Sequence, residues 1–283
     1  MTRIIPERDL ADILPLVQMP GRYTGGEFGA RDDDAPSSKD GLRTAICFPD
    51  LYEIGMSNTA VKLLYQFLNQ RDDVVCDRVF APAPDFERLL IEKNIPLFSL
   101  ESGTPLCELD MLGFSVGYEL SATGILTVLD RGWISLKRED RGATEPIIIG
   151  GGPALSNPAP FADFFDAIYL GEMEESFGEL VSALLELKKS GASRQEKLDR
   201  FTDFDALWIP GRKERASRVP WKGFSSPPTG KVPVQSISVV QDHGVIEIMR
   251  GCPNGCRFCH AGNYYRPVRQ KTFSEIVREA DEL

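Results

Sequence analysis

Residues Ala167–Lys189 read AIYLGEMEESFGELVSALLELKK. The apolar run Ala167 to Leu170 is short and bounded by Gly171, as a buried strand is, and beyond Gly171 the period changes. From Met173 to Lys189 the apolar residues Phe177, Leu180, Val181, Leu184 and Leu187 fall on one helical face. Glu172, Glu174 and Glu175 stand at its start and Lys188 and Lys189 at its end, matching the helix dipole, and Gly191 stops it. The same alternation recurs upstream. Strands are predicted in RTAICFPD from Arg43, at 74–80, 96–100, 111–117 and 146–150, and a helix capped by Ser57 places Ala60, Val61, Leu64 and Leu68 on one face. Strands alternating with helices predict an α/β domain over 43–191, a doubly wound parallel sheet whose ligand crevice lies at the carboxyl ends of its strands.

Residues 1–42 mix Pro, Gly and acids and read as an extended lead-in, with Asp32 to Asp34 a solvated acidic run. Residues 192–235, rich in Pro and Arg, read as a linker whose cations are solvated. A second unit occupies 236–283: SISVV and GVIEIMR are strand-like, and SEIVREADEL begins an amphipathic helix. One strand, one loop and one helix cannot bury a core, so this reads as the opening unit of a larger domain. The chain is 42% apolar with a net charge of −10, which supports buried cores and argues against indiscriminate nucleic-acid binding. No apolar run approaches the ~18 residues of a membrane span, and the N-terminus has no signal-peptide core. The sequence reads as cytoplasmic, its six cysteines kept reduced.

Three of those cysteines lie in RGCPNGCRFCHAG, residues 250–262, as Cys252, Cys256 and Cys259. Three thiolates leave one iron of a cuboidal 4Fe–4S cluster without a protein ligand, and an open iron is a reactive one. Zinc instead wants a fourth protein ligand, which His260 or a distant cysteine would have to supply. Pro253, Asn254 and Gly255 suit a tight turn with amides facing an anion. Around the loop Arg250, Arg257, Arg266, Arg269 and Lys271 occur with no acid among them, interleaved with Tyr264 and Tyr265. This suits an anionic cofactor or a phosphate-bearing substrate; RNA is less favoured, given the acidic chain. Cys47, Cys76 and Cys107 are isolated in apolar surroundings, as small buried hydrophobes are.

The loop matches Cys-x3-Cys-x-aromatic-Cys at Cys252, Cys256, Phe258 and Cys259, and so resembles the radical S-adenosylmethionine (radical SAM) superfamily. With GRYTGGE, FPDLYEIGMSN, GFSVGYEL and GGPALSNPAPFADFFDAIYLGE, nearly the whole chain resembles an uncharacterised radical SAM family with a cobalamin-binding-like domain in front of the radical domain. The resemblance implies a Rossmann-like domain followed by the first β-loop-α unit of a partial TIM barrel, C-terminally truncated here and so expected not to turn over alone. It implies cluster ligation by the three cysteines, S-adenosylmethionine on the open iron with its adenine beside Phe258, and a reductive electron donor such as flavodoxin or ferredoxin. It also implies a radical-SAM-linked partner protein and cobalamin at the strand ends, near Ser115, Gly150, Gly151, Gly152 and Glu172. The Asp-x-His-x-x-Gly motif is absent, and His243 and His260 are the only histidines, so no histidine of that domain would ligate the cobalt. An alternative resemblance, to methylthiotransferases, would place a second cluster on Cys47, Cys76 and Cys107; a non-catalytic iron–sulfur binding or assembly fragment is the other alternative.

Overall fold

Five strands run parallel: β1 (Leu42–Phe48), β2 (Val74–Phe80), β3 (Met111–Ser115), β4 (Ile147–Gly151) and β5 (Ala167–Tyr169), in a computed structural model that describes residues 3–31, 41–224 and 232–282. Their order is β2-β1-β3-β4-β5, and β6 (Leu207–Trp208) closes the row antiparallel to β5. Chain order reverses at β1, which pairs with both β2 and β3, so a crevice opens at the carboxyl ends there.

The period-2 alternation of β1 explains how the sheet is filled on both faces. Ala45 and Cys47 join the core covered by α2 (Pro84–Lys93) and α3 (Ala122–Arg131), whereas Leu42, Ile46 and Phe48 join the one covered by α1 (Thr59–Asn69), α4 (Met173–Lys189) and α5 (Arg194–Phe201). In α4, Phe177, Leu180, Val181 and Leu184 are buried, as the periodicity predicts.

Several sequence expectations need correction. The cap of α1 is Asn58, whose Oδ1 accepts from the Ala60 amide at 2.9 Å; the Ser57 hydroxyl instead donates back to the Glu53 carbonyl. Residues 96–100 form no strand. Phe98 makes a single bridge to Pro105, because the chain turns back at once through Gly103. The lead-in is irregular but not loose: Leu10, Ile13, Val17 and Tyr23 are buried in the core that α2 and α3 cover, and the Tyr23 ring stacks on Phe86. The acidic run Asp32 to Asp34 lies outside the described residues. Within the predicted linker, α5 opens on a capping box between Ser193 and Glu196 and β6 extends the sheet.

In the second unit, SISVV forms no strand and only Met249–Arg250 of GVIEIMR does so. This strand, β7, pairs antiparallel with β8 (Arg269–Gln270), and α6 (His260–Tyr264) lies between them. The cysteine loop therefore hangs from a two-stranded ladder. α7 (Phe273–Glu282) comes next, with none of its residues buried. Among the described residues no helix is long and apolar enough to cross a membrane.

Candidate functional site

A cavity of about 480 Å³ lies at the carboxyl ends of the parallel strands. Ser115, Gly150, Gly151, Gly152 and Glu172, all singled out in the sequence, line it together. Arg250, Gly251, Tyr264 and Tyr265 line it from the cysteine-loop unit. Ser115 and Gly151 are register partners at the ends of β3 and β4. Gly152 has φ +107°, and a Cβ there would lie 2.4 Å from the Val116 carbonyl oxygen. Only glycine lets the chain turn there so close to the neighbouring backbone. Gly152→Ala is expected to cost about 1–3 kcal/mol, read as a lower denaturant midpoint with unchanged slope.

The thiols sit on the open side of the loop. Cys256 is exposed and Cys252 and Cys259 partly so. Cys259 caps α6, its Sγ accepting from the Gly262 amide at 3.3 Å. Among the described residues no three His, Cys, Asp or Glu side chains are grouped to hold a metal ion. Three accessible soft donors within eight residues nevertheless suit iron–sulfur ligation. The His260 Nε2 hydrogen-bonds with the Ser156 hydroxyl at 3.0 Å, across to the sheet domain. Phe258 is 91% exposed, free of the protein core. Cys47 and Cys76 lie in separate cores on opposite faces of the sheet, and burial pushes the Cys47 thiol well above its ordinary range. With Cys107 they form no metal-holding group.

Glu172 is the feature that sequence reading understates. It is 5% exposed, and both carboxylate oxygens are fully engaged. Arg269 forms a bidentate pair at 2.6 and 2.7 Å, Arg250 donates at 2.9 Å, Arg218 at 3.3 Å, and the Trp221 amide at 3.1 Å. Burial pushes the Glu172 carboxyl up, but the hydrogen bond from Arg269 and the charge of Arg250 outweigh it and hold it below its ordinary range. Arg250 also pairs with Glu174 and Glu247, and Lys271 with Glu279. Three of the five cations around the loop are thus neutralised by carboxylates, two of which, Glu172 and Glu174, lie in the sequence read as a helix start. Arg257 and Arg266 remain exposed. Glu172 itself serves as a clamp between the sheet and both strands of the ladder, rather than as a free cofactor contact.

A whole cobalamin exceeds this cavity as it stands. Its volume lies in the lower half of the ~300–1,000 Å³ that holds drug-sized ligands, which is less than the complete cofactor with its nucleotide tail requires. Arg250, Gly251, Tyr264 and Tyr265 already line the space against the strand ends.

The fold and the loop define an α/β domain joined to a three-cysteine unit. Residues 60–210 match the family described as radical SAM proteins, N-terminal, which is over half the chain, and the chain belongs to that family. Iron–sulfur and S-adenosylmethionine chemistry is general to radical SAM proteins. An uncharacterized protein of Methanocaldococcus jannaschii is 24% identical over 244 residues, covering 84% of this chain and 45% of that protein. The chain thus spans under half the length of that relative. No solved structure matches.

Proposed function

We propose that the chain is the N-terminal portion of a radical SAM enzyme in which Cys252, Cys256 and Cys259 hold a 4Fe–4S cluster, with an electron donor such as flavodoxin or ferredoxin. The observation that carries this reading is the loop itself: three accessible thiols hang between β7 and β8, whose Arg250 and Arg269 are both tied to Glu172 of the sheet domain. When bound, the cluster supplies the electron that splits S-adenosylmethionine into methionine and a hydrogen-abstracting 5′-deoxyadenosyl radical.

This chain's part is to hold and orient. Gly251, at φ +91°, turns β7 into the loop where a Cβ would meet the Tyr265 and Pro267 carbonyl oxygens. Phe258, exposed beside Cys259, is positioned in sequence to flank the adenine. The Glu172 clamp sets the loop's two ends against the sheet. Because a whole cobalamin exceeds the strand-end cavity as it stands, hydrogen abstraction from a substrate gripped by the first domain is favoured over cobalamin-dependent methyl transfer. The opposite-face placement of Cys47 and Cys76 weighs against a methylthiotransferase-like second cluster.

The test is anaerobic: the full-length enzyme, reconstituted with iron and sulfide and reduced by dithionite, is expected to convert S-adenosylmethionine into 5′-deoxyadenosine, and its Cys252→Ala variant to form none. Stoichiometric zinc with no iron uptake would overturn the assignment.

A further inference from the structure

The strand-end cavity has a lining that specifies a kind of ligand. Part of its floor is bare backbone, from Gly113 of β3 and from Gly150, Gly151 and Gly152 at the end of β4; a Cβ at Gly150 or Gly152 would point away, at Leu155 and Phe165 or at the Val116 carbonyl. Its walls are apolar, with Ile46, Leu63, Leu64, Met173 and Phe177. A flat floor between apolar walls accepts a planar ring system and offers little to a flexible polar chain.

The charges bordering the cavity are satisfied within the protein. Glu172, Glu174 and Glu247 all line it, and Arg250, which lines it too, pairs with all three. Arg269 and Arg218 answer Glu172 as well, and Glu174 and Glu247 share Arg250, so the one guanidinium on the border is occupied and no cation is left over for an anion. An anionic ligand entering would lose its hydration without gaining a counterion. Hydroxyls are different. Those of Thr59 and Ser115 have no hydrogen-bond partner among the described residues. Tyr264, 8% exposed, lines the cavity and carries a buried hydroxyl that also lacks one. An unpaired buried hydroxyl costs about 1–3 kcal/mol, a cost that a ligand oxygen would remove once a small turn of the ring opened the hydroxyl to the cavity. Burial pushes the Tyr264 phenol up to about 12, so it remains a donor at neutral pH.

We infer that this cavity binds a planar, largely apolar molecule that carries no negative charge and bears hydroxyl or carbonyl oxygens, held between the glycine floor and Tyr264. That this molecule is the substrate rests on the radical SAM reading; the binding site does not. Gly251, which precedes Cys252, borders the same space, so a ligand here lies next to the start of the cysteine loop.

The probe is 2-naphthol, a fluorescent uncharged aromatic alcohol, with 2-naphthoate as its charged counterpart of similar shape. Binding is measured on the full-length protein by fluorescence titration. One 2-naphthol per chain is expected, with 2-naphthoate at least tenfold weaker. The blocking variant is Gly151→Val: a Cβ at Gly151 meets only the Tyr169 carbonyl oxygen at 3.7 Å, an ordinary contact, so the fold tolerates it while the added methyls occupy the floor. A tenfold or greater loss of 2-naphthol affinity is expected, with an unchanged melting profile confirming the fold. Tyr264→Phe keeps the ring and removes only the hydroxyl, and is expected to weaken 2-naphthol severalfold.

Equal or tighter binding of 2-naphthoate would overturn the proposal, as would unchanged 2-naphthol binding in a folded Gly151→Val. If Gly151→Val unfolds, Tyr264→Phe decides: unchanged affinity there also overturns it. Iron content is measured on the same samples. A protein that takes up iron but no 2-naphthol sinks this inference alone; one that binds 2-naphthol but never iron sinks only the radical SAM reading.

Discussion

Arg78→Ala is expected to lower the protein's stability by about 3–5 kcal/mol, the cost of removing one partner from a buried ion pair. For a domain of this size each kcal/mol corresponds to roughly 2–4 °C, so the melting temperature should fall by on the order of 10 °C. The Arg78 side chain is 0% exposed. It donates to Glu27 at 2.8 Å and to Glu101 at 2.5 Å, while its own amide donates to the other Glu101 oxygen at 2.7 Å. Tyr52 donates to Glu27 at 2.8 Å, and the guanidinium sits over the Tyr65 ring. Without Arg78, two carboxylates would face each other in the core. The network also explains why the lead-in is not a tail: Glu27 reaches Arg78 from a segment that precedes the first strand.

The loss should depend on pH in a stated direction. Burial, reinforced by the charge of Asp77 and opposed by that of Arg78, pushes the Glu101 carboxyl up to about 7. A carboxyl raised above its unfolded value contributes stability that is fully present below the unfolded pKa of about 4.3 and lost as pH rises through the folded one. Deleting Arg78 removes the opposing charge and raises the folded value further. The destabilisation of Arg78→Ala should therefore be larger at pH 8 than at pH 5, measured by denaturant midpoints. An equal loss at both pH values would show that the network does not act through an unpaired Glu101.

The sheet is legible in the sequence because its signals are local. Ala167–Tyr169 and Met173–Lys189 carry a period of 2 or 3.6, and Gly191 ends the helix in an αL turn. β6 leaves too weak a pattern, since Leu207–Trp208 is only two residues long, although the Ser193-x-x-Glu196 capping box marks a further helix before it. A strand at 96–100 rests on apolar content alone, and a turn through Gly103 overrides it. The cysteines are identified by spacing, and the strand-end glycines by their position after β4. Glu172 is legible as a residue but not in its role, since its partners Arg218, Arg250 and Arg269 are distant in sequence. Their cationic cluster reads as a surface for anions, and folding turns much of it inward onto carboxylates. Tyr264 is legible as an aromatic among the cations but not for its hydroxyl: nothing in a sequence marks a hydroxyl that folding will leave unpaired.

The second large effect is all-or-none. Anaerobic reconstitution is expected to give about four irons per chain with visible absorption, and Cys256→Ala close to none. Cys256 is the most open of the three thiols, so its loss removes a ligand while disturbing no packing, and the remaining pair, Cys252 and Cys259, offers too few anchors to retain a cluster. Cys47→Ala and Cys76→Ala provide the contrast. Both thiols are fully buried, and burial pushes both well away from the thiolate form that iron requires. These two variants should lose stability by about 1 kcal/mol, as small core truncations do, while keeping all their iron. The opposite pattern would be decisive against the present assignment. About eight irons in the parent protein, halved in Cys47→Ala or Cys76→Ala, would require both faces of the sheet to open around a second cluster. Iron retained by Cys256→Ala would mean that the loop is not where the cluster binds, and the role of its Glu172-anchored ends would have to be sought in the strand-end cavity instead.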